Sequence, residues 1–308
     1  MLSRYPVALG TWVFGDQHYW KDQSHSDSIR TIKRALTSGI KHIDTAFSYG
    51  NGRSEQLIGQ QLNRMKEHVD RKDLIIATKI NTYEPSAVHR RIKESAARLQ
   101  TDYIDIVYLH WPRTDVDILP IFKELHRLKD SGLIRYIGAT NLPFALLEKV
   151  HGLVSIDIFQ SAYSLLWRVP EKEIIPFCRE EGIIFAAYSP LAQGLLAGRD
   201  FDSLSNEDMR KRLVFLSPDH IEETRNIVNT VRDVSFRYKK SMSQTAIDWI
   251  SRTHKTDTII LGCRKESQLI ELIDYHRKPL SDSDMNLLDS ISKNTTTYTE
   301  DNIFGHTW

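Results

Sequence analysis

Four polar residues stand where chemistry is expected: Asp44, Tyr49, Lys79 and His110. Each closes or follows a short apolar run. Asp44 lies in His42-Ile43-Asp44-Thr45-Ala46, with Tyr49 in the loop after it, Lys79 ends Ala77-Thr78-Lys79, and His110 ends Tyr108-Leu109-His110. A free phenol has a pKa of about 10 and donates a proton poorly at neutral pH. A lysine ammonium beside it favours the phenolate and lowers that pKa. Asp44 would hold the ammonium through an ion pair, and His110 would donate a hydrogen bond that orients a substrate oxygen. Such a set suits proton donation to a carbonyl oxygen that is gaining charge, with hydride attack on the carbonyl carbon as the partner step. One strand-end Asp, Lys or His is more often structural. Four of them on three successive strand ends point to a site.

The elements that must position them follow from hydrophobic periodicity. Strand-like runs occupy Val7–Thr11, His42–Ala46, Leu74–Ile80, Ile104–His110, Ile134–Thr140, Ile156–Ala162, Ile183–Ser189 and Thr258–Gly262. Helical patterns lie between them, at Ser26–Ser38, Ser54–Leu62, Pro85–Leu99, Leu119–Asp130, Pro143–Val150 and Glu171–Glu181. A longer one covers about 221–252, with a break near Ser241, and Ser267–Ile273 and Ser281–Ser292 complete the series. Strand–helix alternation implies right-handed crossovers and a parallel sheet. Eight units of about 38 residues fit an α/β fold in the form of a single (β/α)8 TIM barrel over residues 1–308. An open doubly wound sheet is the alternative, disfavoured because no GxGxxG follows the first strand. The polar, weakly periodic stretch Ala197–His220 is expected as a long loop after the seventh strand, over the mouth of the barrel.

Composition narrows the function classes. Lys plus Arg is 41 and Asp plus Glu is 40, a net charge of +1, which argues against a nucleic-acid surface built on bulk charge. The two cysteines, Cys178 and Cys263, form no CxxC pair and no disulfide framework. Neither HExxH nor paired Cys/His spacing is present, so no metal is expected. No window approaches the roughly 18 apolar residues of a membrane helix. Arg4 and Pro6 interrupt the apolar stretch that a signal peptide needs. A soluble, cytoplasmic protein is therefore expected, with a small-molecule partner, no membrane and no nucleic acid. Its oligomeric state is left open.

The motifs around the four residues carry a resemblance. Gly39-Ile40-Lys41-His42-Ile43-Asp44-Thr45-Ala46-Phe47-Ser48-Tyr49-Gly50, then Arg53-Ser54-Glu55, resembles the aldo-keto reductase signature. So do Ala77-Thr78-Lys79 and Asp105-Ile106-Val107-Tyr108-Leu109-His110-Trp111-Pro112. The similarity runs from about Leu9 to about Leu272. The run Ser189–Leu196 is closer to the bacterial inositol-utilisation and general-stress branches than to the vertebrate aldose reductases. The resemblance implies a (β/α)8 barrel, an NADP(H) cofactor and a catalytic tetrad of Asp44, Tyr49, Lys79 and His110, with Tyr49 as the acid–base.

It also implies a cofactor site. Thr11, Trp12 and Asp44 would lie beside the cofactor, and Asn141 and Gln160 would hold the nicotinamide carboxamide, since an amide both donates and accepts. Tyr188 would stack on one nicotinamide face. Ser189, Pro190, Leu191, Gln193 and Gly194 belong to a loop on the pyrophosphate side, with Arg199 as a weaker candidate there. Gly262 and Arg264 end the eighth strand, and the Arg264 fork suits the 2′-phosphate of NADP, with Lys265 beside it. Gln268 and Glu271 match positions that contact the adenosine half. Leu272 stands where the family usually has Asn, and Leu261 where it usually has Pro. Cys263 lies near the phosphate site, and nothing in the sequence marks it as reactive.

Trp12, Tyr83 and Trp111 are expected to form an aromatic substrate wall, with Trp20 joining from the first loop. The C-terminal segment Asn302–Trp308 is expected as a tail that borders this pocket or packs on the barrel flank. The activity implied is reversible, NADPH-dependent reduction of an aldehyde or ketone. Two other readings stand beside it: a cofactor-sensing binding subunit like the potassium-channel β subunits, and a non-redox barrel enzyme such as a lyase or epimerase.

Overall fold

Eight parallel strands close into a barrel in sequence order, with the first hydrogen-bonded to the last. The computed structural model describes residues 6–15, 20, 23–113, 115–205, 207–299 and 302–305. The strands are β1 (Val7–Gly10), β2 (His42–Asp44), β3 (Ile75–Ile80), β4 (Ile104–Leu109), β5 (Ile134–Thr140), β6 (Ile158–Ala162), β7 (Ile184–Tyr188) and β8 (Thr258–Gly262). The surrounding helices are α1 (His25–Thr37), α2 (Arg53–Arg64), α3 (Pro85–Leu99), α4 (Leu119–Asp130), α5 (Phe144–Leu153) and α6 (Ile174–Glu180). They continue as α7 (Ile221–Tyr238), α8 (Met242–Arg252), α9 (Glu266–Ile273) and α10 (Asp282–Ile291).

Period-2 alternation divides each strand between two cores. Ala8, Ile75, Ala77, Ile106, Tyr108, Ile158, Ala186 and Ile260 point inward and fill the barrel. Their neighbours Leu9, Ile43, Ile76, Val107, Ile137, Phe159 and Ala187 point outward into the larger core beneath the helices. A strand buried on both faces reads as a continuous apolar run, which is why these strands are legible in sequence.

Local chemistry sets the helix ends. The break expected near Ser241 separates α7 from α8, and a capping box of Ser241 with Gln244 starts α8. Pro85 opens α3, where its missing N–H leaves nothing unpaired. Gly59 brings α2 against α3, because a Cβ there would lie 2.3 Å from the Arg98 carbonyl oxygen. The expected helix at Glu171–Glu181 is instead a short 3-10 turn, Val169–Glu171, followed by α6.

The stretch 197–220 passes over the mouth as expected, but it is anchored rather than loose. Leu204, Leu213, Val214 and Phe215 are buried. The Val214 N–H donates to the Ile303 carbonyl (2.9 Å), which ties the stretch to the C-terminal segment. Of the expected tail, Asn302, Ile303 and Phe304 are buried, while residues 306–308 lie outside the described residues. Among the described residues no helix is long and apolar enough to cross a membrane.

Candidate active site

A cavity of about 1650 Å³ opens at the C-terminal ends of the strands. Asp44, Tyr49 and His110 line it, and Lys79 is buried at its base. The Lys79 ammonium donates to Asp44 Oδ1, to the Thr45 carbonyl (2.8 Å) and to the Tyr49 hydroxyl (3.4 Å). Asp44 Oδ2 accepts from Gln160 Nε2 at 2.8 Å, so both carboxylate oxygens are engaged. The His110 ring meets the Tyr49 ring edge-on, with centroids 5.7 Å apart. The four residues expected to act together are therefore neighbours.

The electrostatics modify the expectation. Burial pulls the Lys79 pKa down, and Asp44 works against that loss. Burial, then the Asp44 carboxylate, holds the Tyr49 phenol well above its ordinary value. The phenol is thus kept protonated in the resting site. Burial, then Lys79, keeps His110 well below its ordinary value, so its ring is neutral. Its Nδ1 has no hydrogen-bond partner among the described residues.

Support for this cluster comes from the Arg53-Ser54-Glu55 stretch, which the sequence flags without showing its purpose. The buried Ser54 hydroxyl bonds Thr11 Oγ1 (2.8 Å) and Thr45 Oγ1 (2.9 Å), and Thr11 Oγ1 donates to the Asp44 carbonyl (2.9 Å). Glu55 accepts from Thr78 Oγ1 at 2.6 Å and pairs with Arg98 at 3.1 Å. Thus α2 braces the ends of β1, β2 and β3 on either side of Asp44 and Lys79.

The residues expected to meet a cofactor line the same cavity: Thr11, Trp12, Asn141, Gln160, Tyr188, Ser189, Pro190, Leu191, Gln193, Gly194, Gly262, Arg264, Gln268 and Glu271. Several are already bonded to one another. Asn141 Nδ2 donates to the His110 carbonyl (3.1 Å), and its Oδ1 accepts from the Tyr188 hydroxyl (2.8 Å). Gln268 Oε1 accepts from the backbone N–H of Arg264 (2.8 Å) and Lys265 (3.2 Å), which shapes the turn after β8. Ser189, Gln193 and Gly194 all have positive φ, so the turn after β7 is a concave piece of backbone of the kind that cradles anions.

The far end of the cavity is basic. Arg264 Nε donates to Gln23 Oε1 (3.2 Å), and its guanidinium lies 5.8 Å from the Trp20 ring centroid. Arg210 reaches the same ring, also at 5.8 Å, while paired with Asp208. Burial, then Arg210, and more weakly Arg264 lower the Arg199 pKa. Arg210 is missing from the sequence expectation. Its signal is one arginine among the many charges of 197–220, and only folding brings it to the mouth.

Other expected residues lie elsewhere or differ in detail. Tyr83 does not line the cavity; its hydroxyl donates to the Trp111 carbonyl at 2.8 Å, so it braces the wall from behind. Trp12 and Trp111 do line it, as does Trp20, which packs edge-on to Trp12 at 5.6 Å. Phe304 lines it too, whereas Lys265 does not. Leu272 lies in the wall beside Glu271. Cys263 is fully buried, and burial pushes its thiol up to about 12, which removes the thiolate that reactivity needs.

Comparison with known proteins places this geometry. The model of the aldo/keto reductase family matches residues 6–293. Aldo-keto reductase YhdN of Bacillus subtilis (strain 168) is 32% identical over 302 residues, which covers 94% of this chain and 90% of the relative. The NADH-specific methylglyoxal reductase of Escherichia coli (strain K12) is 30% identical, with 93% and 94% covered. The glycerol dehydrogenase AKR11B4 of Gluconobacter oxydans superposes with a TM-score of 0.82 at 25% identity, with 96% of this chain and 93% of that one covered. These matches set aside the non-redox barrel enzyme. Taken with the cavity and its cluster, they show that the chain belongs to the aldo/keto reductase family of carbonyl oxidoreductases.

Proposed function

We propose that the chain reduces an aldehyde or ketone to an alcohol, reversibly, with NADP(H) as cofactor and Tyr49 as proton donor. The observation that carries this reading is the buried Asp44–Lys79 pair with its ammonium 3.4 Å from a cavity-lining phenol.

The residues present fit a dinucleotide. The Thr140 hydroxyl, buried on the cavity wall, has no partner among the described residues. A side chain at Gly262 would meet nothing within 4 Å, so the wall there stays open for a ligand. The amide of Asn141 keeps a second N–H and spare acceptor capacity for a carboxamide, and the Gln160 amide lines the same wall. Arg199, Arg210 and Arg264 gather against their mutual repulsion where phosphates would lie, and this favours the cofactor with the extra phosphate. NADP(H) is preferred on that ground, even though the Escherichia coli relative is named as NADH-specific.

When bound, the dihydronicotinamide supplies a hydride to the carbonyl carbon. The protein's part is the oxygen. Tyr49 O–H and the neutral His110 ring donate to the carbonyl oxygen as it gains charge. The Tyr49 proton passes to that oxygen. The phenolate left behind faces the Lys79 ammonium, which Asp44 holds in place, and solvent reprotonates it after the alcohol leaves. In the resting state the raised phenol pKa keeps the proton available, and the charge developing on the substrate draws it off.

Tyr49→Phe tests this directly. The variant is expected to bind NADPH, seen by fluorescence, and to lose about 10²–10⁴-fold in kcat, the usual worth of a positioned general acid. Retained turnover would remove Tyr49 from the role. The wild-type screen should include aromatic aldehydes, sugars, inositols and dicarbonyls such as methylglyoxal. Tight NADPH binding without turnover of any carbonyl would favour the cofactor-sensing subunit instead.

A further inference from the structure

The part of the mouth built by β1 to β4 holds one charge for which the protein has no use. Between positions 10 and 111, Asp44 and Arg53 are the only charged residues among the described ones that line the cavity. Asp44 is engaged by Lys79 and Gln160. Arg53 is exposed, and its side chain has neither an ion pair nor a hydrogen bond among the described residues. A neighbouring arginine shows the contrast. Arg98 lies under the same turn, where a Cβ at Gly52 would come within 2.6 Å of its guanidinium carbon. It pairs with Glu55 at 3.1 Å and stacks on Phe47, 4.3 Å from the ring centroid.

The base of Arg53 is fixed although its end is free. Tyr49 is followed by Gly50, Asn51 and Gly52, all with positive φ, and the Arg53 N–H closes this turn by donating to the Tyr49 and Gly50 carbonyls. The first loop rests on Arg53, since a Cβ at Gly15 would lie 2.6 Å from the Arg53 Cβ. The next residue, Ser54, is bonded to Thr11 and Thr45. Arg53 is thus held between the first loop and the turn that carries Tyr49. The arginines at the β7 and β8 ends lie beyond that loop. Its Trp20 meets Arg210 and Arg264, while its Gly15 rests on Arg53. The cavity therefore has two basic places, and phosphates account for only one of them.

We propose that Arg53 is a specificity-determining residue that recognises a carboxylate on the substrate. The preferred substrates are then aldehydes or ketones with a carboxylate remote from the reacting carbonyl. Their carbonyl oxygen lies at Tyr49 and His110, their apolar middle lies on Trp12 and Trp111, and their carboxylate reaches the Arg53 fork. A guanidinium meets a carboxylate through two parallel hydrogen bonds, a geometry that a neutral group does not reproduce. One arginine balances one negative charge, so a carboxylate is matched here and a phosphate dianion is only half matched. Arg53 takes no part in the proton or hydride step. The inference rests on the reading of the site as a carbonyl reductase with Tyr49 as its acid.

The test compares 4-carboxybenzaldehyde with 4-nitrobenzaldehyde, which have nearly the same shape and differ in charge. The readout is the ratio of their kcat/KM values with NADPH, in which any loss of folded enzyme, cofactor binding or proton transfer cancels. Arg53→Met keeps an apolar stem and removes the charge. It should lower the ratio of carboxylate to nitro compound about tenfold, the effect of one charge-assisted contact at a solvent-exposed residue. Arg53→Lys, which keeps the charge without the fork, should recover part of the loss. In the wild type the ratio should also fall as ionic strength rises from about 0.01 M to about 1 M, where the screening length shrinks from about 30 to about 3 Å. The Arg53→Met ratio should not respond to salt. A ratio that Arg53→Met leaves unmoved would overturn the proposal, including the case in which both aldehydes lose equally. Weaker NADPH binding by fluorescence with an unmoved ratio would assign Arg53 to the cofactor instead. If the wild type reduces 4-nitrobenzaldehyde and the ratio is unmoved, only this inference fails. If the wild type reduces neither aldehyde, or if Tyr49→Phe stays active, the reading beneath it fails.

Discussion

The two ends of the barrel carry charge in opposite ways. At the N-terminal end three aspartates follow one pattern. Asp105 is fully buried and accepts from the Ile76 N–H (2.9 Å), from Arg71 (2.7 Å) and from Arg135 (3.0 Å). Asp157 accepts from the Ile137 N–H (2.7 Å) and from Lys129 (2.6 Å). Asp257 accepts from the Phe185 N–H (2.8 Å). Each carboxylate latches the first turns of β4, β6 or β8 to the preceding strand. At the C-terminal end Asp44 and Lys79 compensate each other, but His110 Nδ1 and the Thr140 hydroxyl are unmet among the described residues, and arginines crowd together. Charge that stabilises is spent within the protein; charge at the mouth keeps capacity for a ligand. This division matches the general behaviour of such barrels, with stability at the bottom and chemistry at the top.

The comparison breaks most visibly if Asp105 is removed. Asp105→Asn is expected to cost about 3 kcal/mol of stability, since two arginines lose their buried anion. Urea unfolding measures this, and kcat per folded molecule should not change. A stable variant with reduced activity would reverse the division drawn here.

Acid should lower stability through the buried histidines. Burial, against the pull of Asp44, lowers the His42 pKa from 6.5 to about 4. Below about pH 6.5 the unfolded chain binds a proton on this residue that the folded chain refuses until about pH 4, so stability falls as pH drops through that window and is level above it. The slope is about 1.4 kcal/mol per pH unit for one proton. His110 is shifted in the same direction and adds to it. His42→Gln should flatten the urea-derived slope by one proton, and an unchanged slope would show that His42 is already charged when folded.

The smallest effect concerns the cofactor. Arg264→Ala should leave stability near wild type and weaken NADPH about tenfold more than NADH, as expected for one lost charge-assisted contact. Titration of both cofactors decides it. Equal weakening would move the 2′-phosphate away from Arg264 and toward Arg210.

Much of the site was legible because a strand end is a local property. Alternation along β2 and β3 puts Asp44 and Lys79 on the inward face, and both come at the end of an apolar run. The loops were harder. Tyr83 follows a strand just as Trp111 does, yet it turns behind the wall, because nothing in its neighbourhood fixes the direction of its loop. Arg210 and Phe304 reach the mouth only through the buried anchor of Leu213, Val214 and Phe215 and the bond from Val214 to Ile303. Asp105 entered the sequence reading only as one residue of a motif, and Asp157 and Asp257 passed unremarked, since an acidic residue at the start of a strand looks like an ordinary turn residue.

By itself the sequence determined the barrel, its order and the four residues of the proposed tetrad, because strand periodicity and helix capping are short-range and survive translation into one dimension. Only closure of the barrel decided the partners. Gln160 meets Asp44 across 116 positions, and Arg264 meets Gln23 across 241. Such pairings depend on where β1 meets β8 and how far each loop leans over the mouth, and no local pattern records that geometry.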